Sequence, residues 1–372
     1  MPSTDDIYAQ LALVEDPEIH RPITELGMVK SVSISGSRAE IEIYLTIKSC
    51  PMQDTIRTRV VSKVLEIPGI DEVYVSLDVM SDNQREALKL QLRGPEPEIV
   101  FNRPNSRTRI FAIASGKGGV GKSSLTANLA AIMSARGLNV GIIDADIYGH
   151  SIPRIMGLKA NETVIDPDLR IPPSAGGVKV LSVSSMKGPD SNKPIAMRGP
   201  MLGKFLTQFL TDFFWGDLDI LLLDLPPGTG DIAISLGQLL PKAHIVVVTT
   251  PQIAASEVAI RAGMMATLIN QNVVGVIENM SFSVCGHCNE KTKIFGEGGG
   301  AVVASELTRE LGYEVNLLGQ IPFMSDVVSA GDEGTTISNF DEQHPVRTEL
   351  ELIATELLRK TSLQKQSLLG AL

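Results

Sequence analysis

The stretch from Gly116 through Lys117, Gly118, Gly119, Val120 and Gly121 to Lys122 and Ser123 fits the spacing G-x-x-x-x-G-K-[ST]. Glycines without a Cβ let successive backbone N–H groups converge on phosphate oxygens, and Lys122 is spaced to reach the β- and γ-phosphates of a nucleotide. The Ser123 hydroxyl suits Mg²⁺, and Ser124 continues the same turn. Two carboxylate groups follow apolar runs further along. Asp224 closes residues 220–223, the Walker B arrangement in which a carboxylate holds Mg²⁺ through its water shell. Pro226, Pro227, Gly228 and Gly230 then make a sharp loop, ending at Asp231, that suits a γ-phosphate sensor. Asp144 and Asp146 follow residues 140–143; Asp146 lies where a switch loop would face the γ-phosphate, and Asp144 can support Mg²⁺ through water. A third group is Cys285-Gly-His-Cys288, which brings two thiolates within reach of one metal centre. A redox pair, a zinc site using His287, an iron–sulfur cluster and two plain buried thiols all have this spacing. The pair lies late in a nucleotide-binding region, which disfavours the redox reading. His287 sits between the cysteines, where its side chain diverges from theirs. A [4Fe–4S] cluster needs four cysteines, which two copies of the chain can supply.

The elements that must position these residues are legible as patterns. From residue 109 onward, apolar runs at 110–114, 140–143, 178–183, 220–223, 245–248, 273–277 and 317–321 alternate with helical stretches such as 125–136 and 256–269. Continuous rather than alternating apolar runs are those of parallel strands buried on both faces, so a doubly wound, mostly parallel α/β sheet is expected. The glycine loop then falls between a strand and a helix, whose positive dipole end adds to the phosphate site. Residues 1–92 read as a small α+β domain: a helix over 5–14, a hairpin of strands 29–34 and 39–47 turning at Gly36, a helix over 52–65 and a strand over 71–79. Residues 93–107, with Pro95, Pro97 and Pro104, read as a linker, leaving 108–372 as the P-loop domain. Cys50 precedes Pro51 at a helix start, where the dipole favours a reactive thiol; an ordinary buried residue fits equally.

Composition narrows the classes. The chain has 372 residues, 43% hydrophobic and 4% aromatic, which favours a globular fold and disfavours an all-β sandwich. Its net charge of −10 disfavours binding to nucleic acid phosphates. Three cysteines are too few for a disulfide scaffold and suit a reducing cytoplasm. No secretory signal or transmembrane run is expected. The tail carries Leu363, Leu368, Leu369 and Leu372 with only Lys365 for positive charge, a poor membrane anchor.

Lys117 after the first glycine gives G-K-G-G-x-G-K-S, which resembles the deviant Walker A group that includes MinD, ParA and the nitrogenase iron protein. That resemblance implies that Lys117 reaches the nucleotide on a facing subunit, so the active state is a homodimer. The ordered set GKGGVGKSS, DADIYGHS, RGP at 198–200, DLPPGTGD, VIENMS and CGHC, across residues 108–360, resembles the Mrp/ApbC family of iron–sulfur cluster carriers. The segments DPEIHRPITELGMV and SCPM resemble the small domain of iron–sulfur assembly proteins. The resemblance implies that Lys117, Lys122 and Asp146 are catalytic, with Asp146 in switch I orienting the attacking water. It implies ATP, with Asn279 and Pro322, beside Phe323, at the adenine. A labile [4Fe–4S] cluster would bridge Cys285 and Cys288 of both subunits, pass from an assembly scaffold to apo acceptor proteins, and be gated by slow ATP hydrolysis in the cytoplasm, without nucleic acid or membrane. A MinD- or ParA-like positioning ATPase acting on a membrane or partner surface is the alternative; an electron-transfer reductase is a further one.

Overall fold

A computed structural model describes residues 2–46, 52–93, 98–146, 151–159, 162–166, 169–182, 199–228, 231–284, 287–288 and 290–369. Cys50 and Cys285 lie outside them. In chain order the elements are α1 (Thr4–Leu11), β1 (Val29–Ser35), β2 (Arg38–Leu45), α2 (Gln53–Val64), β3 (Glu72–Val79), α3 (Asp82–Arg93), β4 (Arg109–Ser115), α4 (Lys122–Ala135), β5 (Val140–Asp144) and α5 (Ile152–Ile155). There follow β6 (Thr163–Asp166), β7 (Leu169–Ile171), β8 (Ser174–Ala175), β9 (Val178–Ser182), α6 (Gly199–Thr211), β10 (Ile220–Asp224), α7 (Asp231–Leu239) and β11 (His244–Thr249). The chain ends with α8 (Ile253–Leu268), β12 (Asn272–Val284), β13 (Lys291–Thr292), α9 (Gly299–Leu311), β14 (Leu317–Phe323), α10 (Ser325–Asp332) and α11 (Pro345–Leu369).

The smaller compact unit comprises residues 1–98, 162–172 and 211–216. Its first helix starts on a capping box: the Ser3 hydroxyl accepts from the Asp6 N–H, and the Asp6 carboxylate accepts from the Ser3 N–H at 2.8 Å. The β1–β2 hairpin is antiparallel, and α2 carries the chain over to β3, which runs parallel to β2. On β2, Ala39, Ile41, Ile43 and Leu45 are buried while the residues between them are not, so the strand's period of two turns one face inward. Two later segments finish this core. Ile165, Leu169, Ile171 and Phe214 are buried in the same apolar cluster as Ile7, Ile41 and Val60. The backbone stitches the segments together: Arg170 N–H donates to Asp212 O at 2.9 Å and Phe214 N–H to Arg170 O at 2.7 Å. A linear reading of the chain stops this unit near residue 92 because local periodicity carries no sign of partners more than 70 residues away.

The larger unit holds residues 99–161, 173–210 and 217–372. Its sheet has the order β13-β12-β11-β4-β10-β5-β9-β8, with β14 beside β12. The pairs among β4, β5, β9, β10, β11, β12 and β14 are parallel, and only β13 and β8 run antiparallel to their neighbours. The expected doubly wound, mostly parallel sheet is therefore observed. Every residue of β5, β9 and β10 is buried, as strands covered on both faces require. Between the sheet and α11, helix α4 buries Leu125, Leu129, Ile132 and Met133 in one cluster with Leu350, Ile353 and Leu357. Within the proline-bearing stretch read as a linker, Val100–Asn102 form a single helical turn, Phe101 is buried, and Asn102 Nδ2 donates to Leu239 O at 2.8 Å. Aromatic burial makes residues 99–107 an arm of the larger unit, and α3 extends to Arg93. Among the described residues no helix is long and apolar enough to cross a membrane.

Two predictions follow from these cores. Phe214→Ala should destabilise the smaller unit by about 3 kcal/mol, and limited proteolysis should then cut within residues 1–98 before the larger unit is touched. At the start of β11, burial pushes the His244 ring below its ordinary value of 6.5, and its Nδ1 is buried with no hydrogen-bond partner. Below about pH 6.5 the unfolded chain takes up a proton that the folded ring refuses, so the contribution of His244 to stability is lost as pH drops through that value, against the opposite contribution of buried carboxylates whose pKa is raised. Replacing His244 by Phe, which suits its neighbour Phe111, should remove that contribution, so that the variant gains stability relative to wild type as urea titrations are taken from pH 7.5 to 5.

Candidate functional site

The glycine loop leaves β4 at the middle of the sheet and enters α4, at the C-terminal strand ends where open α/β sheets bind ligands. Two of its glycines answer to specific geometry. A Cβ on Gly116 would stand 2.3 Å from the Val258 carbonyl carbon, so the loop lies directly on the backbone of α8. Gly121 has φ +79°, a conformation that L side chains rarely adopt, and it is the N-cap of α4 with no side-chain cap. The first N–H groups of α4 are thus not taken by a capping side chain, the arrangement that receives phosphate.

Register delivers the carboxylates. Asp224 at the end of β10 lies level with Ile113 of β4 on one side and Asp144 of β5 on the other. Both carboxylates are fully buried. Lys122 Nζ donates to Asp224 Oδ1 at 2.6 Å, Thr126 Oγ1 donates to the same oxygen at 3.1 Å, and Ser123 Oγ donates to Oδ2. Asp144 accepts from Ser182 Oγ at 3.1 Å and from the Asp146 N–H at 3.2 Å. Burial, then the Asp224 charge, pushes Asp144 up to about 7. Burial also raises Asp224, but the Lys122 ammonium draws it back. The adjacent Lys122 ammonium therefore favours negative charge on Asp224 over Asp144. Asp146 is buried just past β5. This donor set of carboxylate and hydroxyl oxygens around one ammonium fits a hard divalent cation beside phosphate.

The other predicted residues fall on two sides of the loop. Lys117 Nζ donates to Gln252 Oε1 at 2.9 Å, at the N-cap of α8, so its partner within the chain is a neutral amide. Beside the start of α4 lies a cavity of about 290 Å³ lined by Ser124, Asn279, Met280, Pro322, Phe323 and Val328, among others. Asn279 is held at its rim by an Nδ2 hydrogen bond to Val120 O at 2.9 Å. Its neighbour Met280 has φ +56°, a left-handed conformation uncommon for a side-chain-bearing residue. Asp231 begins α7. Cys288 is exposed in the connection between β12 and β13; Cys285, in the same connection, lies outside the described residues. The structure thus brings together Gly116–Ser124, Asp144, Asp146 and Asp224, places Asn279 and Pro322 on an adjoining cavity, and leaves the cysteine connection to follow the end of the strand that bears Asn279. Sequence reasoning passed over Thr126, Ser182 and Gln252. Thr126 stands four residues after Lys122, hence on the same helix face, a signal that was present; Ser182 and Gln252 depend on strand order, which local sequence does not state.

Removing the ammonium would leave the buried Asp224 carboxylate to the hydroxyls of Ser123 and Thr126, with its charge uncompensated by Lys122. Lys122→Ala should therefore lower stability by about 3 kcal/mol in nucleotide-free urea unfolding. Adding Asp224→Asn to that variant should restore most of the loss.

Comparison with known proteins agrees with this geometry. The family described as NUBPL iron-transfer P-loop NTPase matches residues 106–358, and the family described as iron-sulfur cluster assembly protein matches residues 4–77. An iron-sulfur cluster carrier protein of Mycobacterium bovis is 51% identical over 94% of this chain and 92% of its own length. A protein of the same description from Bacillus subtilis is 34% identical over 97% of this chain and 99% of its own. Among solved structures, a nucleotide-binding protein of Archaeoglobus fulgidus in complex with ADP is similar with TM-score 0.52 and 34% identity, over 65% of this chain and 92% of that one. With its glycine loop and register-paired carboxylates on one sheet, and a C-x-x-C in its sequence, the chain belongs to the NUBPL iron-transfer P-loop NTPase family.

Proposed function

We propose that this protein is an iron–sulfur cluster carrier whose handling of its cargo is gated by binding and hydrolysis of ATP. One observation carries the reading: the strand that places Asn279 on the cavity beside the P-loop runs on directly into the connection that bears Cys285 and Cys288. The names of the relatives point to the same cargo.

In this reading Gly116–Ser124 wrap the phosphates with backbone N–H groups. Lys122 moves from Asp224 to the β- and γ-phosphate oxygens, and Ser123 and Asp224 turn their oxygens to Mg²⁺. Bound there, Mg²⁺ neutralises charge between the β- and γ-phosphates. Asp144, its pKa pushed up to about 7, takes up a proton readily and so relieves Asp224 of a second negative charge. Asp146 orients the attacking water. Asn279 and Pro322 hold the adenine. Lys117 is near the surface and tied to a neutral amide, so it can leave Gln252 for a nucleotide on a second copy of the chain. Homodimerisation also answers the ligand count, because two copies bring together the four cysteines of a bridging [4Fe–4S] cluster. The cargo passes from an assembly scaffold to apo acceptor proteins, in the cytoplasm.

Anaerobic reconstitution with ferrous iron and sulfide should load about four irons per dimer. Loading should be lost in Cys285→Ser and in Cys288→Ser with ATP binding retained. Lys117→Ala should keep ATP binding and lose hydrolysis by about a hundredfold. Full loading of a species that sizes as a monomer would refute the bridging cluster, and full loading of both cysteine variants would refute the carrier.

A further inference from the structure

The mechanism above makes no use of Glu278, a carboxylate only 1% exposed that directly precedes Asn279 on β12. Its Oε2 accepts from the Gly300 N–H at 2.6 Å, in the first turn of α9, and its Oε1 accepts from Gln320 Nε2 at 2.7 Å, on β14. The packing there is close: a Cβ on Gly300 would stand 2.7 Å from the Glu278 Cβ, and one on Gly299 would stand 2.7 Å from the carbonyl oxygens of Thr250 and Pro251. Ser256 Oγ, on α8, donates to Gly299 O at 3.1 Å. Residues 279–299 thus leave and return to one anchored point. They carry both the cavity contact of Asn279 and the C-x-x-C connection.

Further contacts tie this segment to the nucleotide side. Asn279 holds Val120 of the P-loop. Phe295, between the cysteines and α9, meets the cavity residue Phe323 edge-on at 6.4 Å. Lys117 and Ser256 both bond to Gln252, the lysine to its side chain and the serine to its backbone carbonyl. Between anchor and hairpin, Met280 is left-handed, Ser281 Oγ donates back to Glu278 O at 2.9 Å, and the β12–β14 register shifts between Asn279 and Ser283. A bulge of this kind re-aims the strand beyond it.

We propose that Glu278 is a positioning residue that transmits nucleotide occupancy to the cysteine-bearing segment. It clamps the start of α9 and β14 to β12, so that a shift of Asn279 with the P-loop turns the strand beyond the bulge about a fixed base. Without the clamp, α9 and β12 move independently and the shift is dissipated. This rests on the carrier reading, and the test below separates the two.

The experiment uses the full-length chain as wild type, Glu278→Ala and Glu278→Gln. The amide of Glu278→Gln can accept from Gly300 N–H and donate to a flipped Gln320, so it preserves the clamp while removing the charge. Hydrogen exchange of the cluster-free chain is measured with and without MgATP. In wild type and Glu278→Gln, MgATP should change exchange both at residues 116–124 and at 281–298. In Glu278→Ala the change at 116–124 should persist and the change at 281–298 should vanish. Loaded protein then gives the functional arm, iron release to a chelator with and without MgATP. The nucleotide effect should be about fivefold or more in wild type and Glu278→Gln, and near unity in Glu278→Ala. Retention of either nucleotide effect by Glu278→Ala overturns the proposal, as does an equal loss in Glu278→Gln. Absence of any change at 281–298 in wild type overturns it too. A wild type that shows the exchange pattern but takes up no iron and sulfide overturns the carrier reading and leaves the clamp standing.

Discussion

Burial of negative charge at the C-terminal ends of two adjacent strands is the constraint to which the rest of the larger unit answers. Asp224 sits in the middle of a parallel sheet with no exposed surface, level with a second carboxylate on β5. An ionised carboxylate is tolerated there only when donors surround it. Lys122, Ser123 and Thr126 supply them from the first turns of α4, which fixes where that helix begins and therefore how the glycine loop must fold. The same three donors lie beside the loop that would hold a nucleotide. In the proposed cycle, phosphate and metal would exchange partners with groups already held in place, so little reorganisation would stand between the resting site and the loaded one.

The parts of this arrangement that were legible in the sequence are those set by local pattern. Continuous apolar runs marked the parallel strands because both faces of each are covered, and glycine spacing marked the loop between β4 and α4. Strand order was not legible. Nothing near Asp144 says that β10 lies beside β5, so the shared register of the two carboxylates, and the raised pKa of Asp144, emerge only from the fold. Phe101 and Phe214 were missed for a related reason: a single aromatic in a proline-bearing or irregular stretch has no periodicity, yet its burial decides where that stretch packs. Glu278 reads as one polar residue interrupting an apolar strand, and its partner Gly300 lies 22 residues on.

β12 is the element that links the proposed nucleotide cavity to the cysteine connection. At 13 residues it is much longer than the strands beside it, and its two halves do different work. The first half is an ordinary buried strand, from Val273 to Glu278. The second is less buried, passes the left-handed Met280, pairs antiparallel with β13 and runs into the cysteine connection. A strand stiffened on one side of a bulge and freer on the other suits a task in which one end must stay in register with a sheet while the other accommodates a bulky inorganic cargo.

The composition of the smaller unit has a consequence for biosynthesis. Its first 98 residues leave the ribosome early, but its core is completed by Ile165, Leu169 and Ile171 and then by Phe214. At roughly 5–20 residues per second, the missing side chains arrive on the order of ten seconds later. During that interval the nascent chain exposes apolar surface that its own later segments go on to cover.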